Sequence, residues 1–352
     1  MKQLCIVSNF EDRAASISRQ LDGMFAVQTL SVNEFATEKP RAFTVVDVDL
    51  NDAIKAGQLR YWLQRRPKES RAIFVVDRGS RVQTVRAYSI GATDIVRRPI
   101  RYEELLCKLL GERESRFGES PTSSFDLSDG ITAGISALEH IFLAANSGAV
   151  LNPQLIAAAG EALVLQIETY GFADWVQAVR VHHSQTYQHC LLVCGAAAAF
   201  AQQLCFNQAD RRRVAIAALL HDIGKARVPI SILEKPSQLD DDEMAAMKRH
   251  PEYGYEALRT IDGIQSELLD MVLHHHEYLD GSGYPHGLQA SEISDLTRIV
   301  TIADIFGALI ERRPYKAPLA GSTAYQVLLD MNRKLDRDLV RAFHPLSRVQ
   351  FA

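Results

Sequence analysis

The sequence predicts a multidomain chain in which an N-terminal α/β domain, built on a doubly wound parallel sheet of five strands, precedes an all-α domain. Two contrasts along the 352 residues indicate this division. Residues 1–115 alternate short apolar runs with amphipathic stretches, whereas residues 135–352 show only the helical repeat of apolar positions. The stretch between them, 116–134, is rich in Ser, Pro, Gly and Asp and is predicted to be a linker.

Five apolar runs define the predicted strands of the first domain. An amphipathic segment follows each run, and this alternation favours a parallel sheet with helices on both faces. Ligands of such sheets bind at the carboxyl ends of the strands. The predicted strands are 4–7, 25–30, 43–48, 72–76 and 94–96.

The order and spacing of these units resemble a response-regulator receiver domain, and residues 91–99 resemble its last strand. Two features depart from that family. Arg98 replaces its lysine, and Ser8 and Asn9 stand where an acidic pair would hold Mg²⁺ beside the phosphoacceptor aspartate. The sequence therefore favours a degenerate module, which is not phosphorylated and which serves for docking a signalling protein or for homodimerisation, over a working receiver.

The second domain is predicted to be all-α because its apolar residues recur at helical spacing and no strand pattern interrupts them. The predicted helices are 135–145, 153–170, 187–204, 210–221, 240–250, 254–260, 266–276 and 296–310.

Composition excludes several classes of function. The net charge of −4 provides no basic field for polymeric nucleic acid. No apolar stretch reaches the ~18 residues that a membrane helix needs, and the N-terminus lacks the pattern of a signal peptide, so we expect a cytoplasmic protein. The five cysteines include no Cys-x-x-Cys pair, which indicates neither a disulfide framework nor a zinc knuckle.

Histidines cluster in the second domain, where eight of the 11 lie between His182 and His276. The pair His221-Asp222 follows the apolar run 214–220, and a buried charge there is costly unless a metal ion compensates it. Adjacent side chains on a helix diverge by ~100°. The histidine can therefore serve one ion while the two-oxygen carboxylate bridges to a second, which predicts a dinuclear metal centre.

Further ligands of this centre are predicted to come from other helices. Imidazole and carboxylate ligands without thiolate suit Fe, Mn or Zn better than Mg or Cu(I). Two ions ~3.5–4 Å apart would activate a water and hold a phosphodiester for in-line attack. The additional predicted ligands are His189, His250, His275, His276 and Asp304.

In these residues the chain resembles the HD-GYP family, the branch of the HD-domain phosphohydrolases that degrades cyclic dinucleotides. The resemblance covers roughly residues 175–345 and consists of several spaced motifs in the same order. They are His-Asp-x-Gly-Lys at 221–225, His250-Pro251 with Gly254, His275-His276-Glu277 followed by 280–285, 298–300 before Asp304, and Arg313-Pro314-Tyr315-Lys316.

The resemblance implies roles for individual residues. It makes the seven residues named above metal ligands, tilts the metal towards iron or manganese with zinc or nickel left open, and adds catalytic and substrate-binding groups. The implied catalytic residues are Asp222, Lys225 and Asp280, and the implied substrate contacts are Lys225, Tyr284, Arg313 and Lys316.

Two positions depart from the family pattern. Gln185 stands where the family often has a glutamate, and Gly307 where it commonly has an aspartate. Because an amide binds divalent ions more weakly than a carboxylate, we predict two metal ions rather than three. His182 lies on the same helical face as Gln185 and either compensates for it or serves outside the ligand set.

Three functions remain open at the level of sequence. The first is hydrolysis of cyclic di-GMP to linear pGpG, with further hydrolysis to GMP undecided and cyclic GMP-AMP as an alternative substrate. The second is hydrolysis of another nucleotide by an HD-type phosphohydrolase. The third is a catalytically silent signalling adaptor, which the degenerate receiver-like domain and Gln185 favour.

Overall fold

The chain forms two compact units, Met1–Thr122 and Ser123–Ala352. The computed structural model describes residues 2–67, 69–111, 127–147, 152–180, 185–235, 237–261, 263–312 and 317–348. A helix begins at Leu127, inside the stretch 116–134 that the sequence predicts to be a linker.

The first unit contains a five-stranded parallel sheet, which confirms the predicted α/β fold. Its strand order is β2-β1-β3-β4-β5, a doubly wound order. The central strands are buried along almost their whole length, as expected where helices cover both faces of a sheet. The strands are β1 (Lys2–Ser8), β2 (Phe25–Ser31), β3 (Phe43–Asp47), β4 (Arg71–Val76) and β5 (Asp94–Arg97).

Four α-helices accompany these strands, one fewer than five complete βα units require. Between β2 and β3 the chain forms only a short 3₁₀ turn, Phe35–Thr37. Side chains cap two of the helices: Asp52 accepts from the backbone amides of Ile54 and Lys55, and Ser80 accepts from that of Gln83. The helices are α1 (Glu11–Leu21), α2 (Ala53–Gln64), α3 (Arg81–Ile90) and α4 (Tyr102–Leu110).

The second unit is largely helical, as predicted. Two C-terminal helices that the sequence did not predict complete it, and Phe343 on the last of them contacts Phe200 and Phe306, with ring centroids 5.0 and 4.9 Å away. The helices are α5 (Leu127–Ser147), α6 (Pro153–Val179), α7 (Gln185–Gln203), α8 (Gln208–Leu220), α9 (Ile230–Leu233), α10 (Asp241–Met247), α11 (His250–Leu258), α12 (Ser266–His274), α13 (Asp295–Ile310), α14 (Gly321–Asp330) and α15 (Arg337–Ser347).

Helix boundaries differ from the prediction at points that matter for the site. The predicted helix 240–250 is broken after Met247, and His250 begins a new helix. Helices α8 and α12 end at Leu220 and His274, just before the clustered His-Asp and His-His pairs. Side chains at helix ends can leave the helical face, which lets several elements direct them to one point.

Helices α7 and α13 pack closely at the centre of this unit. A Cβ atom on Gly307 of α13 would lie only 2.9 Å from Val193 Cγ2 on α7. The position where the HD-GYP family commonly has an aspartate is therefore filled here by the neighbouring helix. Among the described residues, no helix combines the length and apolar character that crossing a bilayer requires.

Candidate metal centre

Asp222 lies at the centre of the histidine cluster with its two carboxylate oxygens pointing to different helices. Its Oδ1 is 3.2 Å from His250 Nε2 and 3.9 Å from His275 Nε2. Its Oδ2 is 3.3 Å from His221 Nε2 and 3.6 Å from His189 Nε2. One carboxylate therefore serves both halves of the cluster, in the arrangement that the adjacent His-Asp pair predicts.

Seven side chains, Asp222 included, form two groups of potential ligands. Within each group the potential ligand atoms lie within 4.8 Å of one another. Together the groups contain every residue that the sequence predicts to bind metal. They are Asp222, His250, His275 and His276 in the first group, and His189, His221 and Asp304 in the second.

Three of the histidines are held in the same way. Each directs its Nδ1 to the backbone carbonyl oxygen three residues earlier, at 2.7–2.8 Å. A carbonyl only accepts hydrogen bonds, so Nδ1 carries the proton and Nε2 presents a lone pair to the centre. The pairs are His221 with Ala218, His250 with Met247, and His275 with Val272.

A glycine brings two of these elements together. Gly224, in the turn after Asp222, packs so closely on α11 that a Cβ atom would lie 1.9 Å from the His250 carbonyl oxygen. The close approach puts His250 beside Asp222. Position 224 of the His-Asp-x-Gly-Lys motif therefore requires glycine for a steric reason, because a larger residue would push apart the segments that carry Asp222 and His250.

The electrostatics of the cluster suit cation binding. Burial and the neighbouring histidines lower the pKa of His275 well below its ordinary value, and burial lowers the pKa of His276 to about 3. Both rings are therefore neutral at pH 7 and can donate lone pairs. Burial would raise the pKa values of Asp222 and Asp304. Lys225 and His221 nevertheless hold the pKa of Asp222 well below its usual range, and His189 and His221 hold that of Asp304 below it, so both carboxylates are ionised.

Unpaired atoms at the centre provide a test of whether a cation fits there. His250 Nε2 and His275 Nε2 are 3.2 Å apart although each carries a lone pair, so they repel unless a cation lies between them. Among the described residues, neither His221 Nε2 nor Asp222 Oδ1 makes a hydrogen bond, although both are buried. Buried polar atoms without partners are costly, and divalent ions at the centre would satisfy all of them. The imidazole and carboxylate donors of the two groups are of the kind that bind divalent metal ions.

Residues 174–339, which include all seven side chains of the two ligand groups, match the HD domain family. Residues 174–339 are an HD domain.

Curated relatives are similar to part of this chain. The chain is 39% identical over 158 residues to cyclic di-GMP phosphodiesterase PA4108 of Pseudomonas aeruginosa, covering 45% of this chain and 38% of the relative. It is 47% identical over 120 residues to the cyclic di-GMP phosphodiesterase response regulator RpfG of Xanthomonas campestris, covering 33% and 31%. It is 44% identical over 128 residues to 3'3'-cGAMP-specific phosphodiesterase 3 of Vibrio cholerae, covering 36% and 28%. The matches thus span about a third of the length of these relatives.

A solved structure has a similar fold. It is that of Bd1817, described as a HDG"Y"P protein from Bdellovibrio bacteriovorus, and it aligns with a TM-score of 0.52 over 64% of this chain and 74% of that chain. The sequence identity is 18%, so this likeness shows the fold alone.

Lys225 lies at the edge of the metal centre of the HD domain. Its Nζ is 2.5 Å from Asp222 Oδ2. Burial lowers the pKa of Lys225, but the neighbouring carboxylate more than offsets this and raises it, so the amino group is charged. The family resemblance implies that Lys225 contacts substrate phosphate. In the structure the charged amino group of Lys225 lies beside the carboxylate of Asp222.

Tyr284 covers one side of the HD domain's metal centre. Its ring stacks on His276, with centroids 4.7 Å apart and planes inclined by 26°. Lys248 Nζ lies 5.5 Å from the centre of the same ring. The tyrosine predicted to contact substrate therefore touches one of the predicted metal ligands, which connects the loop to the centre.

Glu277 holds this loop, although sequence analysis assigned it no role. Its carboxylate is buried and accepts three backbone N–H bonds: Oε1 from His286 at 2.6 Å and Gly287 at 2.9 Å, and Oε2 from Leu288 at 3.1 Å. Hydrogen bonds to a carboxylate are among the stronger ones in proteins. The glutamate beside His276 therefore fixes the turn that follows Tyr284.

Asp280, the third predicted catalytic residue, belongs to neither ligand group of the described chain. Its Oδ1 accepts hydrogen bonds from the backbone N–H of Ser282 at 3.1 Å and from the Ser282 hydroxyl at 2.6 Å. Its backbone also forms a bridge with Gln289. These contacts support a role in shaping the loop that follows His276.

Several predicted residues cannot be placed in the HD domain. Arg313, Lys316 and His182 lie outside the described residues, as does the side chain of Gln185, which begins helix α7. Their predicted roles in substrate and metal binding stay predictions.

In the N-terminal unit, Arg98 occupies the carboxyl edge of the sheet. Its guanidinium forms ion pairs with Asp47, which is fully buried at the end of β3, and with Asp77 at 2.5 Å. Arg98, which stands where receiver domains have a lysine, therefore neutralises Asp47, the aspartate that could be mistaken for a phosphoacceptor.

Proposed function

We propose that this chain is a metal-dependent phosphodiesterase that hydrolyses cyclic di-GMP to linear pGpG. The observation that carries the proposal is the bridging position of Asp222 between two groups of ligand side chains, next to a loop that stacks Tyr284 on His276. An HD domain with this centre suits hydrolysis because the attacking group is a water and no protein nucleophile is required.

Each ligand side chain has a defined task in this proposal. Asp222 would help to hold both ions, while His221, His250 and His275 would bind through Nε2 because backbone carbonyls accept the protons of their Nδ1 atoms. Two divalent ions, when bound, supply an activated water and neutralise charge on the phosphodiester. We propose iron or manganese, because the ligands are imidazoles and carboxylates without thiolates. We propose two ions rather than three, because Gln185 is a weaker ligand than a glutamate.

Substrate binding in this proposal uses cations and one aromatic ring. Lys225, Arg313 and Lys316 would bind the non-bridging phosphate oxygens, for which an arginine fork and a lysine charge both suit. Tyr284 would stack on a guanine base at the rim of the centre. The names of the relatives from Pseudomonas and Xanthomonas support cyclic di-GMP, and that of the Vibrio relative supports 3'3'-cGAMP as the second candidate.

The N-terminal residues 1–115 have a separate role in the proposal. The buried ion pair of Arg98 with Asp47 supports a module that works without phosphorylation. We propose that this module docks a signalling protein or a second copy of the chain, with residues 116–134 as the connection to the phosphodiesterase domain.

The proposal is tested by metal reconstitution followed by chromatography of nucleotide products. Metal is removed from the full chain with a chelator, and the chain is then reloaded with Mn²⁺, or with Fe²⁺ in the absence of oxygen. The reloaded chain is incubated separately with cyclic di-GMP, 3'3'-cGAMP and mononucleotides. We expect pGpG from cyclic di-GMP. Turnover of 3'3'-cGAMP alone would shift the substrate to the second candidate, and a metal-loaded chain that hydrolyses nothing would favour a silent adaptor.

A further inference from the structure

Glu311 is a buried carboxylate beside the metal centre that belongs to neither ligand group. It follows the last residue of α13, is 3% exposed, and places Oε2 2.8 Å from Nδ1 of His189. The other nitrogen of the same ring, Nε2, lies 3.1 Å from Asp304 Oδ1. The imidazole thus bridges Glu311 to the centre.

His189 is held differently from three other histidines of the cluster. His221, His250 and His275 give their Nδ1 protons to backbone carbonyls at helix ends. His189 instead lies within α7, in whose interior backbone carbonyls are used by the helix itself. A carboxylate from the end of α13 takes the place of the carbonyl, and so Glu311 orients the ring of His189.

The position of the proton matters because a metal ion binds only the lone pair of a ring nitrogen. With Nδ1 directed to Glu311, the ring turns Nε2 towards Asp304 Oδ1 and Asp222 Oδ2, so Nε2 is the nitrogen from which His189 would bind an ion. Carboxylates that accept a bond from a ligand histidine both orient the ring and raise its basicity.

We propose that Glu311 is a positioning residue that fixes the orientation of His189 and thereby sets the cation affinity of the group formed by His189, His221 and Asp304. The inference rests on the metal centre of the proposed function. It adds a dependence that is specific to one of the two groups, because the ligand that Glu311 holds, His189, belongs to that group.

The experiment compares Mn²⁺ binding to the metal-free full chain and its variants by calorimetric titration. We expect two binding steps in the wild type, of which His189→Ala removes one. Glu311→Ala should weaken that same step by about 10- to 100-fold and leave the other within about threefold. Glu311→Gln should lose less, since its amide oxygen still accepts the Nδ1 proton although the charge is gone.

A double-variant comparison separates positioning from a general structural role. In the His189→Ala background, Glu311→Ala should change Mn²⁺ affinity no further, because its effect passes through the missing ring. Glu256→Gln, which removes an exposed charge from α11, is the matched control and should bind as the wild type does.

Three results would overturn the inference. The first is an equal weakening of both Mn²⁺ binding steps by Glu311→Ala. The second is a further loss of Mn²⁺ affinity when Glu311→Ala is added to His189→Ala. The third is a Glu311→Gln variant with wild-type Mn²⁺ affinity at both steps, and this result would overturn the inference even if Glu311→Ala failed to fold. Two normal Mn²⁺ steps without hydrolysis of any nucleotide would instead contradict the proposed function and leave the role of Glu311 intact.

Discussion

Asp222 Oδ1 lies 3.2 Å from His250 Nε2, so the second residue after helix α8 meets the first residue of helix α11. The second carboxylate oxygen points to His221 and His189. A single side chain therefore joins the two ligand groups, and the loss of its charge should affect both.

We predict that Asp222→Ala removes both metal ions and lowers turnover by more than the about 100-fold that loss of an outer hydrogen-bonding partner costs. Metal content per chain by mass spectrometry and product formation from cyclic di-GMP measure the two effects. Asp241→Ala, an exposed acid on α10, is the control. Full turnover in Asp222→Ala would show that the bridging carboxylate is dispensable.

Tyr284 tests whether the stacked ring contributes to substrate binding. Tyr284→Phe keeps the ring on His276 and should retain KM within about threefold, whereas Tyr284→Ala should raise KM about tenfold, as expected for one base stack of about 1–3 kcal/mol. Initial rates over a range of cyclic di-GMP concentrations give both constants. An unchanged KM in the alanine variant would remove Tyr284 from the substrate contacts.

Glu277 tests what holds the loop in place. Glu277→Ala leaves three backbone N–H groups of residues 286–288 without their acceptor, so we expect the free energy of unfolding to fall by about 2–4 kcal/mol. Amide exchange should accelerate at these three residues first. Glu292→Ala also removes a carboxylate that accepts a loop N–H, but an exposed one, and should cost less than about 1 kcal/mol. Equal effects of the two variants would contradict the assigned role.

Gly307 tests the packing of α13 on α7. Gly307→Ala places a Cβ atom 2.9 Å from Val193 Cγ2, and we expect it to cost about 1–3 kcal/mol of unfolding free energy, as overpacking does. Adding Val193→Ala should restore part of the loss, and the coupling can be measured by denaturant titration of the two single variants and the double variant. Additive losses would mean that the two positions do not meet.

Sequence patterns predicted the chemistry of the centre better than its supports. His221-Asp222 and His275-His276 are recognisable because ligand residues in apolar surroundings need compensation. Glu277 and Glu311 resemble ordinary charged residues in sequence. Their roles depend on partners 9–11 and 122 positions away, which no local pattern reveals.

The fold shows the same limit. Parallel strands were predictable from their continuous apolar runs. The 3₁₀ turn at Phe35–Thr37 was not, because the connection between β2 and β3 is too short for the amphipathic repeat to distinguish a turn from a helix. Helices α14 and α15 were missed, although Phe343 on α15 contacts the aromatic core.

The contact between Gly307 and Val193 has a consequence for the design of variants. An aspartate at position 307, which is common in the HD-GYP family, would bring a Cβ atom 2.9 Å from Val193 Cγ2. We therefore expect that an engineered acidic ligand at this position requires a smaller residue at position 193 in the same variant.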